Sequence, residues 1–522
     1  MKRLIIWIAV FLLMQNVAFA LDCEYAVDPV YDYAGTFSSG VALVNENGSN
    51  AVIDTFGNKV VEASVVRLRS NGLIMVVGEN DLAAFFDSKG NRLTEYVYDT
   101  YPLIDKKFQT KTYRFGYYDG DGKSKLIPVS RNKKYGFINE WGTEVIPPIY
   151  DYAYGFEDGL ARICSQGILS EYGTYTNGKY GFIKEDGSVV LPPDSYWIAG
   201  NLENYAYAAN GTSSKVLIDK NGKVMPADEL GYAAIDAPFF ELTDSEGRIG
   251  IADSEGNIVI PMDFYYSIDL LGDGYFIIDR QRIVNHNNEL VFEVSEGETV
   301  SPLYVGIYEK SPFAKVSRKK DSESSDTLSG LVNVKGEMIL DTEYSTVYDL
   351  GENLIYAQTN EKNFLFDYQG SLLCELNGNN CGRCVDGLFS IMDFDTGRYG
   401  YLLNPLTHPK VFVNSVQIKT DVYPIIINSR TMVPMRAIFE KLGAEVQWNE
   451  SERTVEVKHG DVSVSLKIGD SVLYKNGDAV EIDSPAIIKN DRTLVPLRAI
   501  SEALGCVVEW SDKERTVDIR YN

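Results

Sequence analysis

Histidine is almost absent from this 522-residue chain, and His286, His408 and His459 stand far apart. That scarcity excludes the clustered imidazoles on which copper-type metal centres depend. Basic residues are also short, with 49 Lys and Arg against 74 Asp and Glu. The resulting charge of −25 excludes a nucleic-acid partner, since a phosphate backbone needs a basic footprint. GxSxG, HExxH and phosphate-loop patterns are all missing, and no nucleophile stands beside a credible base. Beyond the first twenty residues no apolar run is long enough to cross a bilayer, so no transmembrane span is expected in the mature chain. Cysteine is sparse as well: Cys23, Cys164 and Cys506 are scattered, while Cys374, Cys381 and Cys384 cluster in CELNGNNCGRC. A tetrahedral zinc site needs four ligands and only His408 is near in sequence, so a local disulfide within the cluster is the expectation, with unpaired thiols as the alternative.

The N-terminus carries an address. Lys2 and Arg3 precede an apolar run from Leu4 to Met14, and Ala18-Phe19-Ala20 is a small-x-small cleavage signal. Residues 1–20 are read as a signal peptide cleaved after Ala20, which predicts a secreted or extracellular protein, with association with the cell envelope as a further expectation. Asp22 stands before Cys23 where a lipid-attachment pattern needs a small residue.

Repetition dominates what is present. Residues 135–148 read YGFINEWGTEVIPP and residues 180–193 read YGFIKEDGSVVLPP. Weaker copies stand at 51–61, 215–226, 249–261, 330–340 and 364–373, with turn glycines recurring mostly every 32 to 35 residues. Phe137 and Ile138 belong to a strand-favouring run, Glu140-Trp141-Gly142 makes a turn, and Val145-Ile146 returns as a second strand that Pro147 ends. A few short strands cannot bury their apolar faces alone, so each unit must stack on its neighbours. The expected fold is mainly β: a tandem hairpin or meander array over 21–405, followed by a small duplicated α+β domain. Ten or eleven units exceed the usual four to eight blades of a propeller, which favours an open superhelix, with propeller-like closure as the alternative.

The YGFI…G…PP units resemble the WG-repeat family of bacterial proteins, in which a Trp-Gly often stands where this chain has Tyr135-Gly136 and Tyr180-Gly181. The resemblance extends over roughly 25–405 and is strongest at 134–193. It implies interaction modules and carries no catalytic residues.

A second duplication begins near Val411. The stretch Asn428–Lys458 returns at Asn490–Arg520 with a constant offset of 62, and 17 of the 31 aligned positions are identical. Pro434 suits a first helical position, Gly443 ends the helix, and Met435, Ile438, Phe439 and Leu442 form one apolar stripe. Leu497, Ile500 and Leu504 repeat the stripe, and a Trp-bearing hairpin follows each helix. Together, R-T-x-V-P-x-R-A, the L-G that follows and the Trp hairpin resemble the copper amine oxidase N-terminal-like domain, often called a stalk domain. The match spans 411–522 in two copies, about 411–460 and 473–522. The resemblance implies an appendage away from the oxidase's copper site, acting as a structural or envelope-associated module.

Chemistry is therefore sought and not found. Tyr31-Asp32-Tyr33 and Tyr150-Asp151-Tyr152 mimic part of the oxidase's cofactor-forming motif, but Val30 and Ile149 replace the required Asn. Asp119-Gly120-Asp121-Gly122 opens like a calcium loop and lacks its downstream acidic ligand. Arg430 and Arg492 either grip an anionic partner or pair with a carboxylate of their own domain. No catalytic, cofactor-binding or metal residue is assigned, and no cofactor is expected. The function expected is that of a non-enzymatic binding or scaffold protein whose repeats present tyrosine-rich faces to a protein or cell-wall glycan. A carbohydrate-active envelope enzyme with a hidden carboxylate pair is the alternative.

Overall fold

The computed structural model describes residues 23–520 apart from 106–109, 115–122, 170–174, 177, 197, 203–204, 210–214, 220, 227–238, 244–245, 254–256, 264, 273, 306–308, 321–325, 421, 490–491 and 513. The expected signal peptide lies outside the described residues.

The chain is almost all strand. Small antiparallel meanders follow one another over 33–62, 66–99, 127–150, 152–196, 198–226, 239–263, 268–293, 298–344, 346–376 and 378–403. The pair 298–344 and 346–376 is joined by one parallel bridge, Val305 to Asp349. Sheets stack face to face, and strand alternation sets the cores. In the first unit Ala42, Val44, Ala51 and Ile53 pack toward the last unit, while Val41 and Val52 pack toward the second. The same division recurs along the array: Phe137 meets Phe156 of the next unit with ring centroids 4.9 Å apart, both rings fully buried.

The glycine of Tyr135-Gly136 has a packing role that the turn glycines do not. Tyr135 pairs with Tyr150 and Phe137 with Ile146, so two steps on one strand face four on the other. The excess forms a bulge holding Pro147-Pro148, and it presses onto Gly136. A Cβ there would sit 2.4 Å from the Ile146 carbonyl oxygen. Gly181 meets the Leu191 carbonyl at 2.1 Å in the same way, and Gly330 meets that of Leu340 at 2.5 Å. Proline fits the bulge because this strand is the outer edge of its sheet.

This geometry corrects the preference for an open superhelix. The last unit contains Tyr399-Gly400-Tyr401-Leu402 but supplies no outer strand of its own. Tyr25–Tyr31 fills the place: Tyr31 pairs with Tyr399 and Val27 with Tyr401, with the same four-against-two bulge. A Cβ on Gly400 would meet the Val27 carbonyl at 2.7 Å and Pro29 nitrogen at 2.8 Å. Val27-Asp28-Pro29-Val30-Tyr31-Asp32-Tyr33 is thus the counterpart of Ile146-Pro147-Pro148-Ile149-Tyr150-Asp151-Tyr152. The two ends of the array share one sheet, and the array closes. Cys23 also bonds to Cys374, 351 residues away, which corrects the expected local disulfide. Cys381 and Cys384 are free.

Residues from Val411 to Ile519 form a separate core around helices Met435–Phe439 and Leu497–Ala503. Both apolar stripes are buried as their spacing requires. Pro434 stands one residue earlier than expected: it is the extended N-cap and the last residue of strand Arg430–Pro434. That strand pairs antiparallel with Arg492–Pro496, and Val433 faces Val495, its own counterpart at the offset of 62. The two copies are therefore related by a local twofold through this pair.

Candidate interaction surfaces

Asp and Asn side chains hold the hairpin turns of the array. Asp54 Oδ1 accepts the backbone N–H groups of Phe56 and Asn58, both at 2.9 Å. Asp87, Asn139, Asp219, Asn285, Asn333 and Asp367 repeat the arrangement at the equivalent turns. These side chains hold the hairpins, and the Asp or Asn that opens each turn is the sequence signal of that role. Inside the array, buried Asp349 accepts from Ser311 Oγ, Tyr368 Oη and the Gly351 N–H at 2.6, 2.7 and 2.8 Å. Three partners tie this carboxylate to its own strands.

Tyrosines of the array divide between core and surface, with Tyr33, Tyr266, Tyr304 and Tyr348 exposed. Tyr135, Tyr356 and Tyr401 are fully buried, and burial pushes the phenols of Tyr98 and Tyr344 up to about 12. Exposure at one equivalent position of successive units belongs to aliphatic residues and methionine. Val145, Val189, Val224, Ile258, Leu290, Met338 and Leu372 are all exposed. Each stands at the start of the edge strand of its own unit. Tertiary closure arranges these equivalent positions around one body.

Two clefts involve the C-terminal domain. A 520 Å³ cleft at its seam with the array is lined by residues such as Tyr25, His408, Lys419 and Arg515. Phe56 stacks on Tyr423 at 5.4 Å across this seam, and Tyr423 Oη donates to the Ala26 carbonyl at 3.0 Å. His408 stands edge-on to Tyr423, with Nδ1 2.9 Å from Thr407 Oγ1. Burial, aided by the Lys489 charge, lowers its pKa to about 4 and keeps the ring neutral. Glu24 on the cleft wall faces Lys419 at 3.8 Å and accepts from Gln417 at 3.3 Å. The second cleft, 880 Å³, lies on the C-terminal domain between Trp448, Arg453 and Ile488. Its Glu440 pairs with Arg436 at 3.5 Å.

The motifs singled out above are placed as follows. Tyr31-Asp32-Tyr33 and Tyr150-Asp151-Tyr152 both occupy the crossing from one unit to the next. Asp32 takes the Asn47 N–H at 2.7 Å and Asp151 the Lys134 ammonium at 2.5 Å, so both triplets are structural. Asp119–Gly122 lies outside the described residues. Arg430 pairs within its domain, Nε donating to Asp483 at 2.6 Å. Arg492 lines the second cleft. The free thiols of Cys381 and Cys384 are held protonated, in both cases chiefly by burial. Among the described residues no three His, Cys, Asp or Glu side chains are grouped to hold a metal, and no helix is long and apolar enough to cross a membrane.

Comparison with known families agrees with this division. Residues 412–519 match the copper amine oxidase N-terminal domain, and residues 24–49, 135–167 and 330–362 match the WG containing repeat. No curated protein matches the chain. Among solved structures it is similar to the computationally designed Ika8 protein, at 9% identity over 74% of this chain and 98% of that one, with a TM-score of 0.27. A eukaryotic initiation factor matches at 9% identity over 61% and 89% with a TM-score of 0.32. The WD40 β-propeller domain of Doa1 matches at 17% over 48% and 88% with a TM-score of 0.21.

Proposed function

We propose, from a chain that carries WG containing repeats and a copper amine oxidase N-terminal domain, that this is a secreted or envelope-associated binding and scaffold protein without enzymatic activity. The observation that carries the reading is the set of exposed aliphatic residues at equivalent edge-strand positions, among them Val145, Val189, Ile258 and Met338. Apolar side chains repeated around one body offer many weak, equivalent contacts, which suits avid binding to a protein or glycan of the cell envelope. The C-terminal domain spaces or holds the array there.

The test is retention of the mature chain on isolated cell walls. Replacing Val145, Val189 and Ile258 together by Ser should reduce retention at least tenfold while leaving the thermal midpoint unchanged. Equal retention of the triple variant would overturn the role of the edge residues. Turnover of an envelope polymer by the purified chain, abolished by changing one carboxylate pair, would overturn the non-enzymatic reading.

A further inference from the structure

The C-terminal domain meets the array at the place where the array closes, and Tyr423 stands at that junction. Its ring stacks on Phe56 of the first unit at 5.4 Å, and its Oη donates to the Ala26 carbonyl on the closing strand Tyr25–Tyr31 at 3.0 Å. His408, just beyond the last unit, meets the same ring edge-on at 6.2 Å. The ring also packs against the cluster of Val27, Tyr31 and Tyr401, in which the closing strand and the last unit share one core. Beside it, Phe56 packs against Val422, Met432 and Leu494 of the domain, and Gln417 donates to Glu24 at 3.3 Å, one residue ahead of the closing strand. A 140 Å³ cavity lies at this junction, walled by Gly40 of the first unit, Asp386 of the last and Lys489 of the domain. One face of the domain thus touches every partner of the closure.

The local twofold supplies an internal comparison. Every residue lining the 880 Å³ cleft has a counterpart 62 positions away, identical except for Met435/Leu497 and Glu450/Asp512. A turn of the linker between array and domain crosses the counterpart cleft: the Leu406 N–H donates to Asn404 Oδ1 at 2.8 Å and the Thr407 N–H to the Asn404 carbonyl at 3.2 Å. Arg515 Nη2 donates to the Leu406 carbonyl of that turn at 2.7 Å, and the Ile426 N–H to the Thr407 carbonyl at 2.8 Å. Arg453, the twin of Arg515, has the same left-handed backbone, with φ of 55° against 50°. It is nevertheless exposed, in a cleft lined only by residues of the domain itself. A copy therefore folds without its arginine engaged, and the contact at Arg515 serves the seating of the domain on the array.

We propose that the C-terminal domain is an internal clamp that keeps the array closed. The closing strand is an edge strand whose one neighbour, Tyr399–Leu403, lies at the far end of the array, so no hairpin turn tethers the pair. Bringing such distant segments together costs loop-closure entropy that a local hairpin avoids. Tyr423 and Arg515 offset that cost by fixing the first unit, the closing strand and the linker to one rigid domain. Release of the clamp opens the ring between Tyr25–Tyr31 and Tyr399–Leu403 and leaves a bare sheet edge. The domain is then a working part of the array's shape, where its family resemblance implies an appendage.

The test is hydrogen exchange on the full mature chain, followed by mass spectrometry, with Cys23→Ala and Cys374→Ala in every sample so that the covalent bridge does not mask the clamp. Adding Tyr423→Ala and Arg515→Gly together should quicken exchange in segments 24–31 and 399–403 at least about tenfold. Segments 134–138 of the array and 455–466 of the domain core should change by less than about twofold. Arg453→Gly, which removes the twin guanidinium at the same backbone conformation, should leave all four segments unchanged. Tyr423→Phe keeps the ring and loses only the bond to Ala26, and should quicken the first two segments about threefold. Unaltered protection of the closing strand in the double variant, or in Tyr423→Phe, overturns the clamp. Equal loss of protection in all four segments also overturns it, because Tyr423 and Arg515 are then folding contacts of the domain.

Discussion

Opening the closure is the sharpest test of the fold. Cys23 and Cys374 bond across a loop of 351 residues, and the same two regions are paired through Tyr25–Tyr31. Cross-linking so long a loop removes denatured-state entropy worth about 6 kcal/mol, whereas a bridge between Cys381 and Cys384 would contribute only about 2 kcal/mol. For a cooperative body of roughly 380 residues the unfolding entropy is about 0.8 kcal/mol/K, so loss of the long bridge should lower the midpoint by about 7 °C and loss of the short one by about 2 °C. The assay is thermal unfolding of the mature chain with Cys23→Ala and Cys374→Ala together, beside wild type under reductant. The two should agree, and Cys381→Ala with Cys384→Ala should barely move the midpoint. A double variant within about 2 °C of oxidised wild type, or a proteolytic map joining Cys381 to Cys384, would refute the closure argument.

Other outcomes follow from single residues. Neutral His408, with its pKa lowered to about 4 against an unfolded value near 6.5, favours the folded seam above pH 6.5 and loses that contribution as pH falls toward 4. The ceiling is about 3 kcal/mol, and about 2 is expected because part of the ring faces the cleft; His408→Gln should flatten stability over this window in urea titrations at stepped pH. Gly136→Ala forces a methyl to 2.4 Å from the Ile146 carbonyl and should cost about 2–3 kcal/mol by chemical denaturation. Ser501 Oγ is buried without a partner at the place where the first copy has Phe439, so Ser501→Ala should stabilise the chain by about 1 kcal/mol. A loss on that change would mean that an ordered water satisfies the hydroxyl.

Local repetition made the strands, turns and helices legible. Phe137-Ile138 and Val145-Ile146 read as a hairpin because propensity and turn chemistry act over a few residues. The stripe Met435, Ile438, Phe439 and Leu442 read as a helix face for the same reason. The glycine of Tyr135-Gly136 was visible, but its reason was not: it lies in a bulge pressing from another strand. The partner of Cys23 was equally out of reach, since loop length in sequence says nothing of proximity in space.

A β-repeat array, a duplicated α+β domain and too few histidines for a copper-type centre are all written in local sequence. Tertiary structure alone decided whether the array ends meet, because closure depends on twist accumulated over every unit. The fragment Val27–Tyr33 belongs to a repeat only when Tyr399–Leu402 lies beside it. Tertiary structure also separated the two clefts of the C-terminal domain. Their residues are nearly the same, and they differ in which one the linker happens to cross.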